Sequence, residues 1–248
     1  MIRLGLLSML VLAAFGWGLA AGTYKIFPFN QVQAVQDFVS ASFASVTNTQ
    51  TGYRESEAAT QRGLAMADWD TRADTVMIGD SITEIAPWKD MFPDADILNR
   101  GASGDTVSGV EQRLDLILKA KPTRAFILIG TNDLNLQNPI TDVLAIYERV
   151  IERLERAGVE VHVQSVPFCE QQFALCTQAR RENEAALNAG LKQLADSQGV
   201  AFVDLAASFP AGEEYRADGV HPTIAGYKAW RDILRPFIEK TPKAEDSK

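Results

Sequence analysis

The chain has 248 residues, 46% hydrophobic and 23% charged, enough for one well-buried domain with an appendage. A formal charge of −8 and the absence of a Lys/Arg cluster exclude a nucleic-acid partner, because phosphate binding needs concentrated positive charge. Two histidines (His162, His221) and two cysteines (Cys169, Cys176) are too few for a metal centre built on those residue types, so neither metal nor cofactor is expected.

Met1-Ile2-Arg3 precedes an apolar run from Leu4 to Gly22, broken only by Ser8. Its length lies near the minimum for a membrane-spanning helix. We read residues 1–22 as an uncleaved signal anchor; the alternative is a signal peptide cleaved among Gly18, Ala20, Ala21 and Gly22. Either reading carries the rest of the chain across the membrane, to a periplasmic or other extracytoplasmic location. Residues 23–53 form a stalk or linker. Within it Val32, Val35, Val39, Phe43 and Val46 recur at helical spacing, and Thr47–Gly52 is polar. No Lys or Arg lies between Ile26 and Tyr53, so this helix is expected to pack on protein rather than on an anionic lipid surface.

From 54 to 240 strands and helices alternate. The expected strands are Thr75–Ile78, Asp96–Asn99, Ala125–Ile129, Val159–Val166 and Val200–Asp204. The expected helices are Val107–Lys119, Thr141–Ala157, Ala179–Gln198 and Thr223–Ile238, with a start of another at Ser81. Short continuous apolar strands separated by helices imply an α/β fold with a parallel five-stranded sheet covered on both faces. The tail 241–248 is polar and expected to fray.

In such a sheet, chemistry gathers outside the carboxyl ends of the strands. The segments that follow strands are Gly79-Asp80-Ser81, Asn99-Arg100-Gly101 and Gly130-Thr131-Asn132-Asp133; Asp218-Gly219-Val220-His221 stands before the last helix. Ser81 sits where a strand turns into a helix, beside free backbone N–H groups that suit a nucleophile generating an oxyanion. Asp80 and Ser81 are equally good helix caps, so this stretch alone leaves both readings open. Gly101-Ala102-Ser103-Gly104 lacks the last glycine of a G-x-S-x-G elbow, which argues against an α/β-hydrolase. Cys169 and Cys176, with six residues between them in a loop, are expected to close a disulfide in an oxidising compartment.

These four segments, in this order, resemble the SGNH (GDSL-type) hydrolase family over Thr75–Ile238. The resemblance implies a flavodoxin-like three-layer αβα sandwich acting on esters or thioesters. It implies Ser81 as nucleophile, His221 as general base and Asp218 as its orienting partner. The oxyanion hole would comprise the N–H groups of Ser81 and Gly101 and the side-chain amide of Asn132. Asp80 and Asp133 are expected to brace loops or cap helices, and His162 to pack within its strand. Trp69, Trp88 and Phe92 fit either the core or a substrate groove. The resulting expectation is a serine esterase for short acyl groups on a small-molecule or glycan ester. Its alternatives are an acyltransferase using the same triad and a non-catalytic envelope scaffold.

Overall fold

Five consecutive buried residues, Thr75-Val76-Met77-Ile78-Gly79, form the strand β1 (Thr75–Gly79). Because side chains alternate along a strand, β1 supplies two cores. Val76 and Ile78 enter one apolar cluster and Met77 the other. A computed structural model of the chain describes residues 54, 56, 57, 61, 63–65, 71–170, 173, 176–209, 212 and 218–239. The apolar leader, the stalk with its linker, Trp69 and the tail lie outside the described residues. Among the described residues no helix is long and apolar enough to cross a membrane.

After β1 come the short helices α1 (Ser81–Ile85) and α2 (Trp88–Met91), then β2 (Ile97–Gly101). The single helix expected over 107–119 is two, α3 (Val107–Gln112) and α4 (Leu114–Leu118). They meet at Arg113, whose side chain is buried and paired with Asp105. Next come β3 (Arg124–Leu128), α5 (Thr131–Asn135), α6 (Ile140–Arg156) and β4 (Glu160–Gln164). The chain ends in α7 (Gln178–Gln198), β5 (Ala201–Val203), α8 (Leu205–Ser208) and α9 (Ile224–Ile238).

The sheet order is β2-β1-β3-β4-β5, and every pairing is parallel. This is the flavodoxin-like order, in which the chain reverses direction between β1 and β3. In sheets of this order the site lies at that switch point, outside the carboxyl ends of the strands. On one face α3, α6 and α7 close the first core. From α6 alone Val143, Ile146, Tyr147, Val150, Ile151 and Leu154 are buried, each worth roughly 1.5–3 kcal/mol for a large apolar side chain. On the other face α1, α2 and α9 close the second core.

Trp88 and Phe92 belong to that second core rather than to a groove. Trp88 meets Trp230 edge to face at 5.0 Å, and its indole N–H donates to the Thr83 carbonyl. His162 is packed as expected, stacked on Phe126 at 4.4 Å and 3% exposed. Cys169 and Cys176 are joined by a disulfide with Cα atoms 5.5 Å apart.

Candidate active site

Ser81 opens α1 directly after β1, and Asp80 is the cap: its carboxylate accepts the Ile82 N–H at 3.0 Å. Capping and presentation of the serine are therefore divided between neighbours. Asp80 turns inward and is 1% exposed, while Ser81 stays half-buried just past the carboxyl end of β1. The Ser81 hydroxyl lies 2.8 Å from His221 Nε2. On the far side of the ring, His221 Nδ1 lies 2.6 Å from Asp218 Oδ2. The other Asp218 oxygen accepts the backbone N–H groups of Val220 and His221, at 3.0 and 2.7 Å. One tight turn thus holds both residues, and the carboxylate is aimed by its own backbone.

Partial burial pushes the Asp218 carboxyl up, but the hydrogen bonds from His221 and Val220 outweigh it and hold it below its ordinary value. Asp218 is therefore ionised near neutral pH. Asp80 is the opposite case. Burial, reinforced by the charges of Asp105 and Asp133, raises it to about 7 against the lowering effects of the Ile82 N–H and His221.

Asn132 lies in the first turn of α5, where the chain leaves β3. Its side-chain amide donates one hydrogen to the Asp105 carbonyl at 2.9 Å, which fixes the amide plane. Asp133 turns away and braces the loop, accepting the Val107 N–H at 3.2 Å.

Gly101 departs from expectation. Its N–H donates to Asn99 Oδ1 at 2.9 Å, while the Asn99 amide holds the Glu84 carbonyl. That N–H is thus spent on joining β2 to α1 and is not directed at a reacting oxygen. Three residues on, Ala102–Asp105 form a turn closed by the Asp105 N–H to the Ala102 carbonyl at 3.0 Å. Gly104 takes its third position at φ +82°, a conformation that needs glycine there. The turn also carries the Asp105 carbonyl that holds Asn132.

Among the described residues no group of three His, Cys, Asp or Glu side chains could hold a metal ion. The arrangement suits nucleophilic acyl transfer: a hydroxyl on a base and a base on a carboxylate.

A search of curated sequences finds no match. The fold is similar to that of a Streptococcus pneumoniae protein provisionally named a platelet activating factor, at 24% identity and TM-score 0.67, covering 86% of this chain and 100% of the other. It is also similar to a GDSL-like lipase from Bacteroides thetaiotaomicron, at 23% identity and TM-score 0.61 over 74% and 97% of the two chains. An acetylxylan esterase from Geobacillus stearothermophilus matches at 19% identity and TM-score 0.57 over 69% and 96%. These likenesses extend to the fold. The model of the GDSL-like lipase/acylhydrolase family matches residues 77–229, which span β1 to α9 and all the residues just described, and the chain belongs to that family of ester hydrolases.

Proposed function

We propose that the chain is a serine esterase in which Ser81 is the nucleophile, His221 the general base and Asp218 its orienting partner. The observation that carries this reading is the unbroken Asp218–His221–Ser81 hydrogen-bonded line at the switch point of the sheet. Serine is a weak nucleophile until a base takes its proton as it attacks. Imidazole performs that task near neutral pH, and the carboxylate holds the ring in the required tautomer. Attack on the ester carbonyl breaks its π bond and places negative charge on oxygen. The Ser81 N–H, the second hydrogen of the Asn132 amide and the Gly104 N–H receive that charge. Collapse expels the alcohol, protonated by His221, and leaves an acyl group on Ser81. Water, deprotonated by the same ring, then releases the acid.

The His221 and Asp218 side chains are 35% and 56% exposed, so water reaches the base. That favours hydrolysis over transfer to an acceptor alcohol. We assign a short acyl group, acetyl foremost, on a glycan or small alcohol. Support comes from the Asn99–Thr106 stretch, similar to members that remove such groups, and from the fold's likeness to acetylxylan esterases. The apolar leader and the disulfide support an extracytoplasmic location.

The test is hydrolysis of p-nitrophenyl acetate, butyrate and octanoate, and acetate release from acetylated xylan, by the full-length chain beside Ser81→Ala. Turnover that falls with chain length and vanishes in the variant is expected. Equal rates in the two proteins would overturn the reading; a preference for octanoate would overturn its short-acyl part.

A further inference from the structure

The segment between β4 and α7 has no place in the chemistry above, yet it touches the turn that carries Asp218 and His221. The Glu170 N–H donates to the Gly219 carbonyl at 3.0 Å, and a Glu170 carboxylate oxygen accepts the Gly212 N–H at 3.2 Å. The Phe173 ring lies flush on Gly219: a Cβ placed there would come within 2.6 Å of the ring. Gly219 is the residue between Asp218 and the backbone N–H groups that aim its carboxylate, so ring and carbonyl contacts bear directly on the turn.

The opposite side of the same segment is anchored to α7. Asn188 holds both polar groups of the Val166 backbone, at 2.7 and 2.8 Å. The Cys169 N–H donates to Glu184 at 3.0 Å, and Arg181 donates to the Cys169 carbonyl at 2.8 Å. Glu184, 1% exposed, is paired with Arg180, which in turn donates to the Thr131 carbonyl of α5 at 3.2 Å. Contacts therefore run without a gap from α5, which carries Asn132, through the first turns of α7 to the turn of Asp218 and His221.

The disulfide closes this segment on itself. Inside the ring the Phe173 N–H donates to the Glu170 carbonyl at 3.1 Å and the Cys176 N–H to the Phe173 carbonyl at 2.9 Å. Phe173 is the residue of this loop that meets Gly219 with its side chain. Opening a closed loop releases backbone freedom that must otherwise be lost to hold Phe173 in place.

We propose that the Cys169–Cys176 loop is a strut that positions Asp218 and His221 on Ser81, with Phe173 as a positioning residue for the acid–base pair. This rests on the serine-esterase reading. The strut meets the catalytic turn at Gly219. Its loss therefore slows the chemical step while leaving ground-state binding in place, since a misplacement of about 1 Å can cost ~10²-fold in rate.

The experiment compares the full-length protein with Phe173→Ala, Phe173→Leu and the double variant Cys169→Ala/Cys176→Ala. It reads kcat and KM on p-nitrophenyl acetate, and hydrogen exchange of the peptide spanning Asp218–His221. We expect kcat to fall about tenfold in Phe173→Ala and in the double variant, KM to stay within about twofold, and Phe173→Leu to recover most of the rate. Exchange at Asp218–His221 quickens while β1 and β3 peptides are unchanged. A kcat loss smaller than about threefold, or an equal rise in KM, overturns the proposal. So does unchanged exchange at Asp218–His221. Equal turnover by the parent protein and Ser81→Ala would instead sink the esterase reading, and the exchange data alone would then decide whether the strut exists.

Discussion

At the residue scale, the most exacting position is Asn132. One amide hydrogen is committed to the Asp105 carbonyl, which leaves the other with a fixed direction. A donor oriented before the reaction stabilises developing charge at no reorganisation cost. Asn132→Ala is expected to lower kcat by roughly 10²–10³, or about 2.7–4 kcal/mol, with little change in KM. Steady-state kinetics on p-nitrophenyl acetate checks this; a loss confined to KM would show that Asn132 only binds substrate. The side chains at the centre of the site were legible because each stands in a short motif after a strand or before a helix. The occupied N–H of Gly101 was not. That depends on Asn99 folding back to occupy the N–H of Gly101, a contact between side chain and backbone that no spacing reveals.

At the scale of elements, the break between α3 and α4 is tied to a buried ion pair. Arg113 and Asp105 are 0% and 1% exposed with N and O 2.9 Å apart, and Arg113 also donates to the Gly79 carbonyl, two residues before Ser81. Removing one partner strands the other charge in the core. Arg113→Met is expected to destabilise the fold by about 3–5 kcal/mol, and Asp105→Leu/Arg113→Met to recover most of that loss. Urea unfolding measures both; a double variant no more stable than the single one would mean that the Gly79 contact, not the pair, is what matters. The apolar spacing over 107–119 gave no warning of this break, because Arg113 reads as one exposed position in a helix. The helices Trp88–Met91 and Leu205–Ser208 escaped for another reason: four residues are too few for a 3.6-residue period to show. The long helices and all five strands were legible within one to three residues, because their apolar faces are built from many side chains.

At the scale of the whole molecule, burying acidic groups beneath the site couples stability to pH. Asp80 keeps its proton up to about pH 7 in the folded chain against 3.8 for the ordinary carboxyl. Its contribution is complete below pH 3.8 and is lost as pH rises through about 7, so this group makes the fold less stable toward alkaline pH. Asp105, raised to about 6 by burial against its pairing with Arg113, acts in the same direction. Asp80→Asn retains the cap acceptor for Ile82 and cannot ionise. Relative to the parent, the variant is expected to gain stability on going from pH 4 to pH 8, by on the order of a few kcal/mol. Thermal melts across that range check the sign, and a constant difference would show that Asp80 does not titrate in it. The sheet order was implied by the family resemblance and not by the pattern of strands and helices. Alternation of strands and helices implies a parallel sheet, but the reversal between β1 and β3 is a long-range choice.

The proposed chemistry requires Ser81 to be a nucleophile activated by His221. The most direct measurement is mass spectrometry of the full-length protein after reaction with a fluorophosphonate, which captures an activated serine as a stable adduct. One adduct is expected, on the peptide containing Ser81, absent from Ser81→Ala and formed far more slowly in His221→Ala. An adduct on another residue, or ester hydrolysis undiminished in Ser81→Ala, would contradict it.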